Sequence, residues 1–65
     1  MINTDYKLEH CGANIMVWKN SKVEAQGFGD VESALHAIWV LEGKNANDFF
    51  VEDEGVVKRV ERDTL

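Results

Sequence analysis

A chain of 65 residues holds one small core, and at this size folding buries only about 60% of the surface the unfolded chain exposes. Twelve acidic against seven basic residues give a net charge of −5, the reverse of the basic footprint of nucleic-acid binders, so direct DNA or RNA contact is not expected. One cysteine, Cys11, excludes an internal disulfide, and with His10 and His36 it falls short of the four ligands of structural zinc, so neither metal nor cofactor is expected.

Tyr6 to Cys11 alternates apolar and polar residues and predicts a strand. Gly12-Ala13-Asn14 reads as a turn or a bulge, which leaves two strands or one long bulged strand open over 6–19. Ile15 to Lys19 is β-branched and aromatic, a strong strand pattern. Asn20-Ser21-Lys22 turns the chain, and Val23 to Phe28 returns as a strand weakened by Gly27. Asp30 to Glu42 predicts a helix. Asp30 suits the N-cap, Glu32 complements the positive end of the helix dipole, and Gly43 stands where a left-handed residue ends a helix. After a loop at 45–48, Phe49 to Val51 and Val56 to Glu61 predict two more strands around a Glu52–Gly55 turn. The expected fold is a single α+β domain over 1–65. A small antiparallel sheet of three to five strands carries one helix on one face, in the order β(β)β-α-β(β).

Stepped at about 100° per residue, Val31, Ala34, Leu35, Ile38 and Leu41 form one stripe that should pack on the sheet. Val40 lies almost opposite, Trp39 about a quarter turn from the stripe, and His36 between them. These three form an expected surface patch. Trp39 either folds over the sheet edge as peripheral core or anchors a partner, since tryptophan is enriched at binding hot spots. In the sheet, Ile15 and Val17 point one way and Met16 and Trp18 the other, and Phe49 and Phe50 also point apart. One helix covers one face only. The other keeps large apolar side chains, so a homodimer, a partner or both are expected.

Catalytic signatures are lacking. Ser21 and Ser33 sit in no nucleophile motif, His36 has no orienting neighbour in sequence, and Gly27-Phe28-Gly29 lacks the lysine of a phosphate loop. Cys11 carries no sign of a lowered pKa and reads as a small buried or strand residue. The Glu52-Asp53-Glu54 cluster lacks calcium-loop spacing. With Asp48, and with Glu24 or Glu32, it could instead lay carboxylates along one side, where they would occupy a cleft built for phosphates. The longest apolar run, Ala37 to Leu41, is too short to cross a bilayer, and the lone cysteine fits a reducing cytoplasm.

Residues 38–50 (IWVLEGKNANDFF) resemble the small acidic uracil-DNA glycosylase inhibitors of Bacillus podophages. The shared pattern is Val40, Leu41, Gly43, Ala46, Phe49 and Phe50 without a gap, behind a hairpin of similar length over Ile15 to Phe28. The resemblance implies a dimer that seats an aromatic side chain from this helix in a hydrophobic pocket of the enzyme. That position falls on Ile38, with Trp39 and Glu42 at neighbouring contact positions where the family has a glutamate and a tyrosine. The expected function is therefore a phage-type inhibitor in the host cytoplasm. It binds a DNA-handling enzyme through His36, Ile38, Trp39, Val40, Glu42, Asp48, Glu52, Asp53 and Glu54. The same element order is similar to podophage RNA polymerase inhibitors, to some small anti-CRISPR proteins and to antitoxin domains of the HicB type. These imply an RNA polymerase or CRISPR-effector inhibitor, or an antitoxin-like regulatory module, as alternatives.

Overall fold

A computed structural model describes residues 2–61. Met1 and residues 62–65, which the expected domain includes, lie outside the described residues. The elements are β1 (Ile2–Cys11), β2 (Asn14–Lys19), β3 (Lys22–Phe28), α1 (Val31–Leu41), β4 (Asp48–Asp53) and β5 (Val56–Glu61). All pairings are antiparallel, and the sheet order is β3-β2-β1-β5-β4, with the helix packed on one face.

Residues 6–19 form two strands, joined by a turn at Gly12-Ala13 with Gly12 at φ 61°. Asn20, at φ 57°, opens the next turn. A positive φ at the first of two turn residues suits the twist of a hairpin, and glycine and asparagine tolerate it best. The β4–β5 turn is tighter than expected. Only Glu54 and Gly55 turn, both with positive φ, while Glu52 and Asp53 remain in β4.

β1 begins at Ile2, four residues before the predicted start, because its two halves serve different neighbours. Tyr6 to Cys11 pairs with β2, whereas Ile2, Asn3 and Lys7 pair with β5. The two hairpins are thus offset along β1, and the molecule measures 41 × 19 × 18 Å. Between Asn3 and Lys7 the β1–β5 register slips. Thr4 bridges the gap: its hydroxyl donates to the Val57 carbonyl at 2.7 Å and accepts from the Tyr6 N–H at 3.1 Å. A β-branched polar residue in this otherwise polar segment therefore satisfies backbone groups that the bulge would orphan.

Helix α1 is set by its ends. The Asp30 carboxylate accepts from the Ser33 N–H at 2.7 Å, and that bond holds its pKa below the ordinary aspartate range. At the other end, Gly43 is left-handed at φ 97°. The Gly43 N–H donates to the Val40 carbonyl and the Lys44 N–H to the Trp39 carbonyl, which is the Schellman arrangement.

The core comprises Tyr6, Leu8, Ile15, Val17, Ala34, Ile38, Phe50 and Val57. Val17, Ile38 and Val57 are fully buried, and each such side chain stabilises the fold by about 1.5–3 kcal/mol. Val31 and Leu35 pack at its margin as the helical stripe predicts. Leu41 does not: it is 49% exposed. It sits on the helix's last residue, where the chain turns into the cap before its side chain can reach the sheet. Cys11 lies on a strand but is exposed, since the end of β1 runs past the β4–β5 hairpin.

Candidate functional site

The helix does more than cover the sheet. Its flank at Glu32, Leu35, His36 and Trp39, spaced i, i+3, i+4, i+7, faces β4, the last strand in the sheet order. Between them runs a groove of about 580 Å³, completed by Ala46, Asp48, Phe49 and Phe50. Leu35, Trp39, Ala46 and Phe50 make it apolar, Phe49 borders it at the strand, and Glu32, His36 and Asp48 rim it. Phe50 turns into the core and Phe49 stays exposed, as alternation on a strand requires.

Trp39 is held from two directions. Its carbonyl accepts from the Lys44 N–H, and its indole N–H donates to the Asn45 carbonyl at 2.8 Å. Its ring packs against the core and lies 5.6 Å from the His36 ring, tilted by 36°. The helix cap therefore fixes the tryptophan, and an aromatic held in one orientation loses little entropy on binding. Both readings of Trp39 describe part of it: one side is peripheral core, and the other walls the groove.

The other expected site residues separate. Ile38 corrects the reading taken from the resemblance, because it is fully buried in the core one position from the groove wall and presents nothing to a partner. Val40 is exposed on the outer side of the helix, away from the groove. Glu42 accepts the Tyr6 hydroxyl at 2.7 Å and lies 3.8 Å from Lys19 Nζ. Burial first, then this hydrogen bond and the carboxylate's charge, push the Tyr6 phenol well above its ordinary value.

The carboxylates are largely engaged within the chain. Asp48, with a side chain only 13% exposed, faces Arg59 at 3.7 Å, and Glu52, 15% exposed, meets His10 at 3.0 Å. Both point to the helix side of the sheet, because β4 alternates and both lie in phase with the buried Phe50. Asp53 points the other way, is 65% exposed and lies 3.3 Å from Lys58. Glu54 sits in the turn. The acidic stretch is thus split between two faces and a turn, and the groove gathers His36, Trp39 and Asp48 from the expected set. It adds Glu32, Leu35, Ala46, Phe49 and Phe50. For Leu35 the signal in the sequence is the i+4 spacing to Trp39, which the core stripe absorbs, and Glu32 enters there only as one of several acids.

The face opposite the helix carries Met16, Trp18, Val23, Val51, Val56 and Val60, all half-buried, between Lys7, Glu9 and Lys58. The Trp18 indole donates to Glu9 at 3.1 Å. A wider hollow of about 790 Å³ lies at its margin, walled by Lys7, Glu9, Trp18, Asn20 and Glu54. Its walls come from β1, β2, the end of β4 and two turns, 20–21 and 54–55, whereas the α1–β4 groove is cut between a helix flank and a strand that pack on each other. The groove is the better-built site for that reason.

Among the described residues, no three His, Cys, Asp or Glu side chains gather to hold a metal, and no helix is long and apolar enough to cross a membrane. Compared with known protein families, with curated proteins and with solved structures, the chain matches none.

Proposed function

We propose that this protein acts by docking on another protein, and that its partner is a host DNA-handling enzyme, uracil-DNA glycosylase first, which it inhibits. The observation that carries the reading is the α1–β4 groove. It is an apolar cleft at a sheet edge, with a tryptophan fixed in its wall and acidic residues at its rim. Such a concave surface with an aromatic anchor is what a protein contact uses. The net charge of −5 supports a basic partner surface, which a DNA enzyme presents to its substrate. The segment that resembles podophage inhibitors, 38–50, runs from the helix through the cap into β4 and so builds most of this groove.

The direct test is inhibition of purified uracil-DNA glycosylase on a uracil-containing single strand, titrated with the protein. The expected result is stoichiometric inhibition, weakened at least tenfold in a His36→Ala/Trp39→Ala double variant whose circular dichroism is unchanged. Full glycosylase activity at excess protein, with no complex by size-exclusion chromatography, contradicts the proposed target.

A further inference from the structure

We infer that the partner enters this groove as an extended strand with basic ends, adding to β4 as a sixth strand of the sheet. The inference rests on the docking reading above and supplies its mode.

Three observations converge on β4. It is an edge strand, and an edge offers a row of backbone donors and acceptors that another extended chain can pair with. Its register with β5 is unbroken from Asp48↔Glu61 to Asp53↔Val56, so the edge is regular along its whole length. The opposite edge, β3, is different: its pairing with β2 shifts twice, and Gly27 lies in it at φ 90°. Bulges of that kind twist an edge away from strand addition.

The second point is the groove. Alternate side chains of an added strand point to the helix side of the sheet. There they meet Leu35, His36 and Trp39 on the helix flank that lines the groove. Main-chain pairing then supplies affinity, and the groove supplies a choice of side chain.

The third is charge. β4 reads Asp48-Phe49-Phe50-Val51-Glu52-Asp53, acidic at both ends and apolar between. A second copy of the chain is a poor match. Antiparallel self-pairing sets Asp48 against Glu52 or Asp53, parallel self-pairing stacks like on like, and facing like charges destabilise a strand pair. Asp48, Glu52 and Asp53 already face Arg59, His10 and Lys58 within the chain, but Arg59 is shared with Glu61 and Glu32 adds a further acid to the rim, so the edge keeps an acidic excess. The complementary strand has lysine or arginine at its ends and apolar residues in the middle.

The probe is a capped peptide, Lys-Lys-Val-Leu-Val-Lys, titrated into the isotope-labelled full chain and followed by amide NMR and hydrogen exchange. The expected result is saturable binding, with new protection at Phe50 and Glu52, whose amides the hairpin register turns away from β5, and shifts confined to β4, Leu35, His36 and the Trp39 indole. Affinity falls at least tenfold for a peptide N-methylated at alternate amides, for its all-glutamate counterpart, and for the Glu32→Lys variant. No binding, equal binding of the methylated peptide, or shifts on β3 or around Trp18 overturn strand addition. So does a concentration-dependent dimer in which β4 amides are protected without peptide. The two readings fail separately. Glycosylase inhibition without peptide addition at β4 removes the mode and keeps the inhibitor. Peptide addition at β4 without glycosylase inhibition does the reverse.

Discussion

β3 and β4 both end the sheet, yet the chain treats them differently. β3 is held to β2 through two register shifts, contains Gly27, and runs beside a lighter helix contact. β4 is unbroken, carries Phe49, Phe50 and Val51 in sequence, and takes the larger share of the helix. One edge is spoiled for pairing and the other is kept straight beside an apolar cleft. The contrast teaches that what an edge offers a partner depends on its surroundings. The hairpin fixes its line, the helix flank gives it a wall, and the cap that ends the helix locks Trp39 into that wall.

Three substitutions attack the supports of the β4 side in decreasing order of effect. Ile38→Ala removes the fully buried residue that seats the helix, and should lower stability by about 2–5 kcal/mol in urea unfolding. For a domain of this size that is most of the total, about 3–10 kcal/mol, so the groove and the fold should be lost together. An Ile38→Ala protein as stable as the parent would show that Ile38 is not what seats the helix beside β4.

Gly55→Ala acts on the hairpin. Gly55 has φ 83°, its carbonyl accepts from the Leu8 N–H at 2.8 Å, and an added Cβ would lie 3.1 Å from the Leu8 carbonyl oxygen. Strain and crowding together should lower stability by about 1–3 kcal/mol. Gly12→Ala, at φ 61° but with open space around it, should be milder. Equal losses at the two glycines would mean that the close approach of the β4–β5 turn to β1 does not matter.

Tyr6→Phe is the mildest of the three. It removes the hydroxyl that ties β1 to Glu42 beyond the helix end, at about 1–2 kcal/mol. Its pH dependence sharpens the assignment. The folded phenol is pushed above its ordinary value near 10, so the stability it contributes is complete below that value and is lost as pH rises past it. Alkaline unfolding should therefore move to higher pH in Tyr6→Phe, relative to each protein's stability at neutral pH. An identical alkaline profile would remove Tyr6 as the group responsible.

Much of the fold was legible in the sequence, because hydrophobic period and turn chemistry agree along most of the chain. Asp30 and Gly43 mark the helix ends, Asn20 and Gly12 mark hairpin turns, and the alternation in β2 separates Val17 from Trp18 as the structure does. What was not legible depends on partners far along the chain. Asn3, Thr4 and Asp5 look like a polar terminus until Val57 stands opposite Thr4. Leu41 and Ile38 share one stripe by angle, and only the position of the helix end exposes the first and buries the second. Asp48 and Glu52 look like surface acids, and Arg59 and His10, from other strands, take them up. For the site, the sequence pointed to Trp39 and His36, and placed Glu32 only among several acids and Leu35 only in the core stripe. Those two matter only because β4 is an edge, and strand order is not written in any local pattern.

The most direct test of the central claim is amide hydrogen exchange of the full chain with and without purified uracil-DNA glycosylase. The account predicts new protection at Leu35, His36 and Trp39 and at Phe50 and Glu52, with β3 unchanged. Protection centred on β3 or on the Trp18 face, or no protection anywhere, would contradict it.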